Sequence, residues 1–195
     1  MKIVIIDYGA GNIQSIIFAI KRLGYEAVLS HDAEEIRNAD KVIFPGVGEA
    51  SSAMAKLKAT GLDKVIPTLK QPVLGICLGM QLMCHSSEEG NTEGLGIFDL
   101  DVVKFSNKVK VPQIGWNQIS DLKSELFKKN IPEKAYIYLV HSFYAPIGSE
   151  TIAKSEYDVE YSAALQKENF YGVQFHPEKS SDVGSEILKN FLNIT

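Results

Sequence analysis

Cysteine is scarce: Cys77 and Cys84 are the only two in 195 residues. If both sit on one helix, seven positions at ~1.5 Å rise part their Cα atoms by about 10 Å, beyond the ~7 Å a disulfide spans. Two free thiols suit a reducing compartment. No C-x-x-C, H-x-x-H or other ligand cluster occurs, which argues against a structural zinc. No cofactor is expected. Long apolar runs are missing too: nothing approaches the ~18 residues of a membrane helix. The stretch Ile3-Val4-Ile5-Ile6 is too short for a secretory signal, so a cytoplasmic protein is expected. Charge of neither sign dominates, with a net −4. Nothing in that balance suggests nucleic acid or an anionic membrane as a partner. Repeats, linkers and low-complexity tracts are also absent, and 195 residues suit one well-buried domain spanning 1–195.

What is present reads as α/β. Residues 2–6 suggest a buried strand, followed by a helix over 13–23 with Ile13, Ile16, Ile17, Ile20 and Leu23 on one face. Gly24 ends it. Further strands are expected at 25–29 and 41–44, with a short polar helix or loop at 32–38 between them. This rhythm predicts a mostly parallel central sheet flanked by crossover helices. The Gly9–Gly11 turn has Gln14 where a dinucleotide fingerprint needs a third glycine. Residues 49–59 look helical, and a short element covers 62–69. Beyond a polar loop at 86–96 the chain turns strand-rich, at 101–105, 108–111, 137–140, 150–154, 162–166 and 170–175. These predict a mixed or antiparallel extension of the sheet, closed by a helix over 182–193.

The centre of the sequence is Pro72 to Gln81, P-V-L-G-I-C-L-G-M-Q. Val73 to Ile76 has the continuous hydrophobicity of a buried parallel strand, and the residues after Cys77 have helical composition. Cys77 therefore stands at a strand-to-helix turn. Gly75 and Gly79 flank it at G-x-C-x-G spacing, the thiol counterpart of the nucleophile elbow. Such an elbow forces the nucleophile into a strained conformation and requires small neighbours. The plainer reading is a buried structural cysteine beside two turn glycines.

The stretch Phe170 to Glu178, F-Y-G-V-Q-F-H-P-E, decides between them. A strand runs into His176 and stops at Pro177, which has no N–H for a ladder. His176 and Glu178, two apart in extended chain, point to one side. A carboxylate beside an imidazole orients it and supports its charged form. Together these residues make a triad: Cys77 as nucleophile, His176 as general base and then acid, Glu178 as orienting carboxylate. His31 and His85 read as surface residues, and His141 as a structural or pocket residue. At Phe44-Pro45-Gly46-Val47-Gly48, glycines at a strand's carboxyl end free backbone N–H groups to stabilise an oxyanion.

With P-G-V-G, G-I-C-L-G-M-Q and Q-F-H-P-E in this order, the chain resembles the triad-type, class I glutamine amidotransferases over essentially its full length. The resemblance implies a flavodoxin-like fold. It also implies that Cys77 attacks the side-chain amide of glutamine, that His176 protonates departing ammonia, and that water hydrolyses the thioester. Gly46 and Val47, with the N–H of Leu78, would hold the oxyanion. Gln81 and the backbone at Ser142 and Phe143 would hold glutamine. Within the class, the segments at 5–12, 115–117, 140–144 and 176–181 resemble the glutaminase subunits of imidazole glycerol phosphate synthases. Gln113 stands where that group commonly has His, and Phe98-Asp99-Leu100 lacks its usual Pro-Gly turn. The likeness implies a (β/α)8 barrel cyclase as heterodimer partner in histidine biosynthesis, with Trp116, Asn117, Tyr138 and Lys179 toward it. A glutaminase serving a sugar-aminating partner and a non-catalytic scaffold are the alternatives.

Overall fold

The computed structural model describes residues 1–195. The first half alternates strand and helix: β1 (Ile3–Ile6), α1 (Ile13–Arg22), β2 (Ala27–Ser30), α2 (Ala33–Arg37), β3 (Lys41–Gly46), α3 (Ala50–Ala59), α4 (Leu62–Val65), β4 (Val73–Cys77) and α5 (Leu78–Met83). The second half is mostly strand: β5 (Cys84–Ser87), β6 (Thr92–Glu93), β7 (Phe98–Lys104), β8 (Gln113–Gln118), β9 (Tyr136–His141), β10 (Phe143–Tyr144), β11 (Thr151–Tyr157), β12 (Val159–Lys167) and β13 (Phe170–Val173). A 3-10 turn (Pro177–Lys179) and α6 (Ser181–Leu192) close the chain.

Seven strands form the main sheet in the order β11-β12-β13-β4-β3-β1-β2. The five from β13 to β2 are parallel, and β12 and β11 extend the sheet antiparallel. This matches the expected mostly parallel sheet with an antiparallel extension. Side-chain alternation divides β1 between two cores: Val4 and Ile6 join α2, α3, α4 and α5 on one face, Ile3 and Ile5 join α1 and α6 on the other. The inner parallel strands β1, β3 and β4 are buried on both faces, which is why they read as largely apolar runs.

Several boundaries differ from the sequence reading. The helix after the elbow ends at Met83, and Cys84 begins a strand, so the two cysteines do not share a helix; both are free and buried. The expected loop at 86–96 instead contains β5, a 3-10 turn and β6, because Ser86 and Ser87 pair with Glu93 and Thr92 and also with β7. Residues 108–111 form no strand, although Lys and Val alternate there. The strand lies at Gln113–Gln118, where Gly115 and three polar residues hide any period-two pattern. It pairs only with β9, in a separate two-stranded sheet.

Candidate active site

Cys77 ends β4 and caps α5 with φ 54° and ψ −113°. A non-glycine residue reaches that region only when its surroundings hold it there. The flanking glycines explain how. A Cβ on Gly75 would lie 2.6 Å from Met83 Sδ and 2.9 Å from Met80 N, and one on Gly46 would lie 2.6 Å from Gly79 N. A Cβ on Gly79 would run into the Phe44 carbonyl. With β3, β4 and α5 this close, the chain leaves β4 in one sharp step and the thiol stands at the sheet's carboxyl edge.

β13 runs parallel to β4 and leads into His176 at the same edge. Its backbone is stapled to the neighbouring hairpin: His176 N donates to the Tyr138 carbonyl at 2.9 Å, and Tyr138 N donates to Ser180 Oγ at 3.0 Å. Ser180 Oγ in turn donates to the His176 carbonyl at 2.7 Å. Glu178 sits in a 3-10 turn rather than extended chain, so the turn, not strand alternation, brings Oε1 within 2.9 Å of His176 Nδ1. That carboxylate is almost fully buried, at 1% exposure, and its Oε2 has no protein partner.

Burial alone would lower the His176 pKa. Hydrogen bonding to Cys77 and Glu178, with the charges of both, outweighs it and raises the ring to about 10. That balance favours the protonated ring at neutral pH. The Cys77 sulfur also meets the Val140 carbonyl and the Gln174 amide, each at 3.8 Å.

Cys77 and His176 open onto a cavity of about 390 Å³. Its walls include Val47, Leu78, Gln81, Ser142, Phe143 and Lys179, six of the residues singled out from sequence. Gly46 lies beneath, registered opposite Cys77, and Val47 beyond it is 40% exposed. Tyr8 donates to the Pro45 carbonyl at 2.9 Å, securing the start of that loop. Leu78 opens α5, so its N–H has no intrahelical acceptor. Gln81 donates to the Phe143 carbonyl at 2.8 Å.

Trp116, Asn117 and Tyr138 do not line the cavity. Trp116 and Tyr138 are opposed across the β8–β9 pair, with rings 5.8 Å apart and near perpendicular. Asn117 donates to the Glu156 carbonyl at 2.8 Å. Sequence reasoning assigned no role to Gln174, Asn12 or Glu89. Gln174 carried a signal, since it stands two residues before His176 in a stretch that reads as strand from sequence. Asn12 and Glu89 line the cavity from distant loops, and no local pattern marks them.

A family model described as glutamine amidotransferase class-I matches residues 4–194. The chain belongs to the class I glutamine amidotransferases. Among relatives in this family, the chain is 55% identical to "Imidazole glycerol phosphate synthase subunit HisH" of Bacteroides fragilis strain YCH46, over 100% of both chains. It is 53% identical to the HisH of Bacteroides thetaiotaomicron and 45% identical to that of Pectobacterium atrosepticum, again over 100% of both. Solved structures share the amidotransferase fold at low identity. PurLQS from Thermotoga maritima gives a TM-score of 0.75 at 17% identity, covering 98% of this chain and 97% of that one. A structure titled simply glutamine amidotransferase gives 0.75 at 16%, covering 97% and 96%.

Proposed function

We propose that this amidotransferase is the glutaminase subunit of an imidazole glycerol phosphate synthase, hydrolysing glutamine and passing ammonia to a cyclase subunit in histidine biosynthesis. The observation that carries the chemistry is the meeting of the strained Cys77 with the His176–Glu178 pair at one sheet edge. Cys77 gives its proton to His176 and its Sγ attacks the amide carbon of glutamine, while backbone N–H groups at Gly46–Val47 and Leu78 receive the oxyanion. An oxyanion donor of this kind is worth about 3 kcal/mol. His176 gives its proton to the amine as the carbon–nitrogen bond breaks, releasing ammonia and leaving a thioester. His176, oriented by Glu178, then takes a proton from water, which attacks the thioester and frees glutamate. Gln81 and the backbone at Ser142 and Phe143 hold the substrate.

The full-length identity to HisH subunits supports this pathway over a sugar-aminating one. Ammonia freed into neutral water is protonated and no longer nucleophilic, so its acceptor enzyme has to sit over the site. The β8–β9 face supports such a seat. Ile114, Trp116 and Tyr136 are 62%, 53% and 56% exposed, on the side that leads through Tyr138 to Val140 at the cavity. A (β/α)8 barrel docked as a heterodimer against Trp116, Asn117, Tyr138 and Lys179 would cover that mouth. A cytoplasmic location goes with this reading, and no helix is long and apolar enough to cross a membrane. Cys77→Ala, assayed for glutamate release with the cyclase present, is expected to lose at least ~10³-fold in kcat. Undiminished release would overturn the reading.

A further inference from the structure

Gln174 has no solvent exposure and bridges two parts of the site. Its Oε1 accepts from Gln81 Nε2 at 2.8 Å, and its Nε2 donates toward Cys77 Sγ at 3.8 Å. A backbone atom sets the orientation of both amides. The Phe143 carbonyl can only accept, so the Gln81 group 2.8 Å from it is the NH2. That NH2 gives its second hydrogen to Gln174, which must present oxygen to Gln81 and NH2 to the sulfur. The other uncharged polar neighbour of the sulfur is the Val140 carbonyl, at 3.8 Å. It satisfies a thiol S–H but repels a sulfur that has given up its proton. The attacking species in thiol chemistry is the deprotonated one.

We propose that Gln174 is a positioning residue for the nucleophile. Its amide N–H holds the Cys77 sulfur in the direction of attack. Its carbonyl ties that setting, through Gln81, to the Phe143 backbone that faces the substrate. The proposal rests on Cys77 being the glutaminase nucleophile. Gln174 itself reaches no substrate, being sealed behind Gln81 and Cys77. Its loss therefore falls on the chemical step rather than on glutamine binding.

The test uses Gln174→Met, close in shape but without a donor, and Gln174→Glu, which keeps an acceptor for Gln81 but turns a carboxylate oxygen toward the sulfur. Thermal melting checks that each is folded. The first readout is the rate at which iodoacetamide alkylates the full chain. It reports Cys77 alone, because Cys84 is fully buried. The second is kcat and KM for glutamine with the cyclase present. A folded Gln174→Met protein is expected to alkylate about tenfold more slowly and to lose ~10–10² in kcat, with KM within about threefold. Gln174→Glu should lose more. Alkylation at the wild-type rate in a folded Gln174→Met protein overturns the proposal, as does a loss carried by KM with kcat intact. Continued hydrolysis by Cys77→Ala would instead remove the glutaminase reading, while the alkylation comparison would still decide whether Gln174 governs the sulfur.

Discussion

Two histidines lie close together in this site, and their surroundings push them in opposite directions. His141, buried at the end of β9, places Nδ1 2.8 Å from the Phe143 carbonyl and Nε2 2.9 Å from Gln113 Oε1. Desolvation dominates there and holds its pKa down to about 4, the Phe143 hydrogen bond opposing it and the His176 charge adding to it. His176, buried but facing a thiol and a carboxylate, is raised to about 10. The signs for stability follow. An unfolded histidine takes up a proton near pH ~6.5. Below that value the unfolded chain gains a proton at position 141 that the folded one refuses, so stability falls as pH drops toward about 4. The slope from this residue is at most about 1.4 kcal/mol per pH unit. The contribution of His176 is complete below ~6.5 and fades as pH climbs toward about 10. His141→Asn is expected to flatten the acid limb, read as the difference in urea midpoint between the two proteins from pH ~7 to ~4.5. A parallel acid limb in wild type and variant would contradict this assignment. From sequence His141 was readable only as a structural or pocket residue. Its solvation depends on Phe105 and Tyr161, whose rings pack 5.2 and 5.3 Å away from far along the chain.

Among the elements, the junction of β3, β4 and α5 is the most constrained. Gly46, Gly75 and Gly79 let three backbones approach where any side chain would collide. Gly79→Ala is expected to cost ~1–3 kcal/mol, because the added methyl meets the rigid Phe44 carbonyl rather than a side chain that can turn away. Calorimetry gives the fall in Tm, and glutamate release should fall with it as the elbow shifts. Gly24→Ala is a useful contrast: an added Cβ there finds open space, although φ +86° disfavours it. The elbow was legible because its local code is dense, a strand end, a cysteine and two small residues within five positions. β8 was not, since its partner β9 is some twenty residues away and its own residues show no alternation. The 86–96 stretch misled because its strands are short and polar, and they become regular only by pairing with each other and with β7.

The whole molecule is asymmetric about its active edge. One side of the β8–β9 pair buries Ile137, Leu139 and His141, and the other shows solvent a row of large apolar residues beside the cavity. A Trp that is half-exposed, packed edge-on against a Tyr and next to a reactive site has the composition of a binding hot spot. Trp116→Ala is expected to weaken the complex with the cyclase by about 10–30-fold in Kd, or roughly 1.4–2 kcal/mol. Titration calorimetry would measure it, and an unchanged Kd would move the interface elsewhere.

The amino-acid sequence alone determined the parallel sheet and singled out Cys77 and His176 as the proposed nucleophile and its base. Each is written in short-range terms: apolar runs of strand length, small residues around one thiol, and a histidine beside Pro-Glu. Tertiary structure decided the rest. Cys77 and His176 share a site because β13 lies next to β4 in the sheet, a pairing between segments almost a hundred residues apart. The buried amides of Gln81 and Gln174 gain a direction only from the Phe143 carbonyl and the Cys77 sulfur. Hydrogen-bond direction and desolvation are properties of what surrounds a group, and those surroundings exist only once the chain has closed on itself.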